Sequence, residues 1–376
     1  MKQQVCLSPN GVDRYHVAAP PTSLMVGTMD GVVELRAADG GRDWTTVNRS
    51  LDGLHVSSLM SEPSRGALFA GVHGEGLYRS LDGGQTWETE MPGLTVPHVF
   101  SLAYDRRDDG VTLYAGTEPA RLFRSRDCGD SWTELPGLAT APARDKWWFP
   151  APPHIAHVKH VATDPRDERV IYVCVEQGAL LKSTDGGEHF EQLMFEDAGC
   201  RYNNDAHRIV FNPQNPDHIY LDGGDGIFRS RDAGRTWEHL ATPSMRVAYP
   251  DHLYLAPDDP GTLFAVGGGD PPNIWRSSGD AKSTIVKSSD GGRSWNQIGG
   301  GLLSSLPGNL EAATLVSWPD GYGLFAGSTD GDIFCSLDRG EHWARVADSL
   351  PPVSKCVHYG NLAKGRAVAA AAQKGL

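Results

Sequence analysis

A nine-residue phrase built on aspartate recurs seven times along the chain, and it leaves few folds open. Its clearest copy reads Arg79-Ser80-Leu81-Asp82-Gly83-Gly84-Gln85-Thr86-Trp87, and it returns around Asp39, Asp127, Asp185, Asp232, Asp290 and Asp338. Successive aspartates stand 43, 45, 58, 47, 58 and 48 residues apart, a period that suits a repeated unit of about four strands. The repeat occupies 23–346, so the 376 residues form one closed array and not two or three domains. The fold expected is all-β: a single seven-bladed β-propeller over 1–376 with four-stranded antiparallel blades.

The third unit gives the grammar of a blade, with alternating strands at 98–104, 112–117, 121–125 and 131–135 separated by turn residues. Aligned on the aspartates, the blades fall at about 12–47, 55–89, 97–135, 154–193, 205–240, 249–298 and 310–346. Blade 1 has two candidates for its innermost strand. One is 13–18; the other, favoured because it would hide both open edges of the array, is 353–358 from the C-terminus. The alanine-rich tail, 363–376, lies outside the repeat.

In each phrase the aspartate can accept backbone N–H groups across its own turn, glycine supplies positive φ, and the tryptophan opens the outer strand. Phe190 takes the tryptophan place in blade 4. These residues identify Asp-box, or BNR, repeats. The chain resembles sialidases, two-domain xyloglucanases, the sortilin receptor family and the photosystem II stability and assembly factor, propellers that share the turn and not the chemistry. Resemblance to sialidases would imply an Arg-Ile-Pro segment, an arginine triad and six blades; no Arg-Ile-Pro occurs, so sialidase activity is not expected. Xyloglucanases of this kind use two facing propellers, and this chain holds one.

A formal net charge of -13 opposes binding to nucleic acid or anionic membranes. Residues 1–12 carry no apolar run, and no stretch approaches a membrane span, so a cytoplasmic protein is expected. The six cysteines share no spacing, unlike a disulfide framework or zinc ribbon.

Candidate chemistry emerges from blade geometry. The first strand of a blade starts at the face to which the second-to-third loop returns, and the Asp turns lie on the other face. The opening positions are His55, His98, His157, Asp205, Tyr249 and Glu311, and the loop positions are His73, Glu118 and Glu176. Fourteen histidines in 376 residues predict fewer than one at these nine positions, whereas four occupy them. Two residues further along the inner strand, Lys159 and His207 are expected on the same side. Imidazoles and carboxylates at a channel mouth suit a divalent transition metal (zinc, copper, iron or manganese) or metal-free acid–base catalysis.

Two of the intervals are 58 residues long. Their extra length falls at 140–153, with Trp147 and Trp148, and at 267–283, with Trp275; both belong to the mouth face, as do Arg201, Tyr202 and Arg246. The reading is a small-molecule enzyme, a hydrolase or lyase assisted by metal, with copper redox chemistry as a variant. His55, His73, His98 and His157 would be the metal ligands, and Glu118, Glu176, Asp205, His207 and Tyr249 the catalytic groups. Trp147, Trp148, Lys159, Arg201, Tyr202, Arg246 and Trp275 would bind substrate. The alternatives are a protein-interaction or assembly scaffold, and a carbohydrate hydrolase using a carboxylate pair.

Overall fold

A computed structural model describes residues 3–38, 43–89, 91–151, 153–193, 205–240 and 245–355. Seven small sheets are arranged as the blades of a propeller, each running outward from an inner strand. Blade 4 is representative: His157–Asp164, Asp167–Glu176, Ala179–Ser183 and Glu191–Leu193 pair in antiparallel order. In blade 2 three strands are joined by a lone bridge from Arg79 to Glu88. No helix among the described residues is long and apolar enough to cross a membrane.

The Asp turns behave as their sequence requires. Asp82 Oδ1 accepts the Thr86 backbone N–H at 2.9 Å and its Oδ2 the Thr86 hydroxyl at 2.6 Å, while Ser80 Oγ donates to Asp82 at 2.8 Å and accepts from Gly84 N–H at 2.8 Å. In the turns of Asp185 and Asp338 a histidine replaces the hydroxyl residue, with His189 Nδ1 and His342 Nδ1 at 2.8 and 2.6 Å from the carboxylate. The turn tryptophans pack between blades; Trp44, for example, meets Phe325 of blade 7 edge-on. The phrase around Asp39 lies outside the described residues.

The ring is closed by neither expected segment. Cys6–Leu7 is the inner strand of blade 1, parallel to Ser23–Thr28. Arg14–His16 instead adds a parallel strand to blade 7, along Leu310–Trp318. Between these two strands the chain crosses the channel as a strap: Asn10 N–H bonds Ser57 O, Asn10 O accepts from Leu102 N–H, and Asp13 O accepts from Leu315 N–H. The strap draws on strand edges of several blades at once, a non-local use of hydrogen bonds that a repeat alignment cannot register. Residues 353–355 bridge blades 7 and 1 differently, through Val353 N–H to Ser328 O, beside Met29 N–H to Pro352 O. Residues 356–358 and the tail 363–376 lie outside the described residues.

One irregularity recurs. The pairing of the first two strands shifts register between Val56 and Ser58, Val158 and His160, Ala206 and Arg208, Pro250 and His252, and Leu310 and Ala312. A bulge at this point turns an additional side chain out of the ladder. The residues so displaced include Lys159, His207, Asp251 and Glu311, all buried.

Candidate functional site

Strand pairing sets the first contact. His157 opens the inner strand of blade 4 and lies opposite Glu176, the last residue of the second strand. Its Nε2 is 2.9 Å from Glu176 and its Nδ1 3.2 Å from Glu118 of blade 3. Burial works against charge on His157, yet the two carboxylates outweigh it and raise its pKa. With an anion at each nitrogen, both nitrogens donate.

From Glu176 the network continues along the bulge ring. Lys159 Nζ lies 3.2 Å from Glu176 and 3.3 Å from Asp251. Lys355, carried in by the C-terminal segment, lies 2.6 Å from Asp251 and 3.6 Å from Glu176. Burial alone would protonate Glu176, but Lys159, Lys355 and His157 bring its pKa well below the ordinary carboxylate value. Asp251 is lowered in the same way by Lys355 and Lys159. Glu311 shifts oppositely, to about 7: burial is the main cause, Lys355 opposes it and Asp251 reinforces it.

Beside this network stands a second group. His207 Nδ1 lies 2.7 Å from the Pro250 carbonyl, which can only accept, so that nitrogen carries its proton. The other nitrogen faces Asp205 at 3.2 Å and the Tyr249 hydroxyl at 3.2 Å, and Tyr249 also donates to Asp205 at 3.0 Å. Asp205 and His207 can therefore share one proton across their hydrogen bond.

Glu176, Asp205 and Tyr249 form part of the floor of a pocket of about 330 Å³. Its walls are the two insertions: Trp148 and Phe149 on one side, and Pro271 and Arg276, at the helix Pro272–Ser278, on the other. Trp148 is 53% exposed and is stacked on His154 with ring centroids 4.9 Å apart, which holds an open aromatic face beside the carboxylates.

The remaining candidates are distributed otherwise. His55, His73 and His98 form a row on blades 2 and 3, with ring centroids 5.6 and 4.5 Å apart. His55 bonds the Ser354 carbonyl at 2.8 Å and burial draws its pKa down to about 4; burial and then His98 lower that of His73. With His157 held between two carboxylates, these four do not assemble a coordination sphere. Among the described residues, only Glu176, Asp205 and His207 bring ligand atoms within 4.8 Å of one another, a group that could hold a metal. Trp275 is fully buried with Phe100 and Ala281, so it anchors its loop across the mouth instead of facing the pocket. Trp147 lies under the Arg144 guanidinium, 5.4 Å from its centre, Lys159 is sealed among its carboxylates, and Arg246 is exposed away from the pocket lining. Arg201 and Tyr202 lie outside the described residues.

The repeat register did not yield Asp251, Lys355 or Asn309, whose Nδ2 donates to Asp251 at 3.0 Å. In the folded register Asn309, not Glu311, holds the opening place of blade 7, and Glu311 matches Lys159 and His207. The step of two residues used for Lys159 and His207, taken from Tyr249, would have reached Asp251. Nothing in the repeat foretold Lys355, which arrives from beyond the last blade.

Comparison with known proteins agrees with this architecture. A model of the BNR/Asp-box repeat matches 78–89, and one described as sortilin, neurotensin receptor 3, matches 178–304. Xyloglucanase Xgh74A of Acetivibrio thermocellus is 25% identical over 269 residues, 62% of this chain and 31% of the relative. A xyloglucanase of a Paenibacillus species is 25% identical over 276 residues, 66% of this chain and 26% of the relative. The chain thus spans less than a third of the length of these relatives. Among solved structures, an ancestral GH74 enzyme superposes with a TM-score of 0.56 at 16% identity over 76% of this chain and 37% of that one. YCF48 bound to D1 peptide gives 0.53 at 18% over 86% and 95%. At such identities the likeness is one of fold. The chain carries BNR repeats on a seven-bladed propeller.

Proposed function

We propose that this propeller is a carbohydrate hydrolase whose catalytic pair is Glu176 and the proton-sharing couple Asp205–His207. The observation that carries the reading is that two buried carboxylates of unlike surroundings reach the same aromatic-walled pocket. Glu176 is kept ionised by its cations, and Asp205 stands next to a transferable proton, the division of labour that glycosidic hydrolysis needs. Oxygens within 4.8 Å of each other are nearer the spacing of about 5 Å used in double displacement than the longer gap that admits a water.

In the first step Glu176 attacks the anomeric carbon while the leaving oxygen takes the proton shared by Asp205 and His207. The glycosidic C–O bond breaks and a glycosyl ester of Glu176 forms. Water then gives a proton back to Asp205–His207 and attacks the anomeric carbon, releasing the sugar and restoring Glu176. Tyr249 holds Asp205 in place, and Trp148 offers a stacking face to a sugar ring. The xyloglucanase relatives support β-glucan and xyloglucan fragments as first substrates.

The test is hydrolysis of a panel of aryl β-glycosides and xyloglucan oligosaccharides, with anomeric configuration followed by NMR. Activity should fall by about 10²–10⁴ in Glu176→Gln and Asp205→Asn. No hydrolysis across the panel, or unchanged rates in both variants, would overturn the reading. The Glu176–Asp205–His207 group also favours a metal-assisted hydrolase as a second reading. Two ammonium groups already lie against Glu176 and compete with a dication, so activity should survive chelation by EDTA; its loss, with restoration by zinc or manganese, would favour the metal.

A further inference from the structure

We propose that the Asp-turn end of the channel holds a second ligand site, a cationic pocket for a small oxyanion of the phosphate or carboxylate class. The inner strands of blades 3, 4 and 5 end there, and with the strap they enclose a cavity of about 410 Å³ lined by Arg14, Arg106 and His160 among others. It lies at the opposite end of the inner strands from the candidate catalytic pocket.

Charge is unbalanced in this cavity. Asp13 also lines it, but its carboxylate is bound to the Arg208 guanidinium at 2.6 Å, and Arg208 is tied further to the Pro9 carbonyl at 3.1 Å. Arg107, adjacent in sequence, is paired with Asp105 at 2.7 Å. Among the described residues neither Arg14 nor Arg106 has a carboxylate within ion-pair distance, and Nη2 of Arg14 is shut off from solvent without any hydrogen-bond partner. A buried guanidinium nitrogen lacking an acceptor is costly to the fold unless something fills the place. A small oxyanion between Arg14 and exposed Arg106 would supply the missing acceptors to both guanidinium groups.

His160 registers the same field. Its Nδ1 accepts the Ile209 N–H at 3.3 Å, which leaves Nε2 as the donor of the neutral ring. Burial and then the Arg208 charge push its pKa down to about 3, with Arg14 adding to the effect and Asp13 opposing it. In a protein of net charge -13, a pocket where three guanidinium groups, of Arg14, Arg106 and Arg208, share the one carboxylate of Asp13 is a local reversal of sign.

Titration calorimetry on the full chain with inorganic phosphate, and separately with citrate, tests the proposal. One-to-one binding is expected, weakened at least tenfold in Arg106→Met and lost in Arg14→Met, with Asp205→Asn binding as wild type. Flotation with vesicles containing phosphatidic acid, absent with phosphatidylcholine alone and lost in Arg106→Met, would identify the anion as a lipid headgroup; calorimetric binding without flotation would identify a free one. If Arg14→Met does not fold, the exposed Arg106 carries the test. Failure of both phosphate and citrate to bind the wild type, or equal binding in the Arg106 variant, overturns the site.

Discussion

Glu311 gives the channel a dependence on pH whose sign follows from its neighbours. Its folded pKa, about 7, exceeds the ordinary carboxylate value, so the folded chain holds this proton more tightly than the unfolded one. Stability from this group is full at low pH and declines as pH rises towards and through 7. Asp222, buried and with no partner for either oxygen among the described residues, is raised to about 6 mainly by burial and acts in the same direction. So does His157, whose raised pKa favours folding until the ring deprotonates. Glu176 and Asp251, both lowered, act oppositely and withdraw stability as pH falls below the carboxylate range. Buried His55 and His160, lowered to about 4 and about 3, act against these terms and destabilise the fold as pH falls below the unfolded imidazole value, so the share of Glu311 is read against a variant: relative to Glu311→Gln, the wild type should lose about 1–3 kcal/mol of stability between pH 5 and pH 8 in urea unfolding. Glu311→Gln imitates the protonated acid and can still accept from Ser354 and Lys355; stability of the two proteins changing in parallel over this range would remove Glu311 as a source of pH dependence.

His157 is a more drastic site. Replacing it with glutamine leaves Glu118 and Glu176 facing each other without the imidazolium, and losing one partner from a buried ionic group costs about 3–5 kcal/mol. Equilibrium unfolding near neutral pH would measure the loss. A drop below 1 kcal/mol would mean that His157 is neutral in the folded protein.

Among the elements, Asp turns and bulges differ in how far sequence could announce them. The turn is local: in most copies serine, aspartate, glycine and a hydroxyl or histidine residue satisfy one another within a few positions, so all seven could be read from the aspartate, glycine and aromatic residue they share. Ser230→Ala tests one copy, because it strips an acceptor from the Gly234 N–H, 2.8 Å away and buried, and a donor from Asp232. A loss of about 1–3 kcal/mol is expected, seen as a lower thermal midpoint. The bulges follow from packing inner strands around an axis, and their positions are hidden in sequence. His157, Glu176 and Glu118 could be gathered from repeat register alone. The ring residues were only half legible, since strict alternation put Glu311 two places out and left Asp251 unassigned. Lys355 was illegible, because its place depends on a segment that belongs to no blade. The long insertions were recognisable by length, but which tryptophan faces the pocket was decided by burial: Trp148 lies in the open and Trp275 against Phe100.

For the molecule as a whole, the decisive element is the N-terminal strap, which gives an edge strand to blade 1 and another to blade 7 and fills the channel between them. It buries Val5, Cys6, Leu7 and Tyr15 almost completely. At about 1.5–3 kcal/mol for a large apolar side chain, these four contribute an amount comparable to the whole net stability of a typical domain, about 5–15 kcal/mol. Fit is equally strict: a methyl group on Gly11 would lie 2.1 Å from the Leu59 carbonyl oxygen and 2.9 Å from the Leu59 nitrogen, backbone atoms that cannot step aside. Deleting residues 1–16 should therefore open the ring, abolishing the cooperative thermal transition and the near-ultraviolet signal of the packed tryptophans. Gly11→Ala should keep the fold and lose about 1–3 kcal/mol as the strap lifts from blade 2. Retention of a sharp transition by the truncated chain would mean that the blades close on one another without the strap. The candidate catalytic mouth would then be independent of what seals the other end.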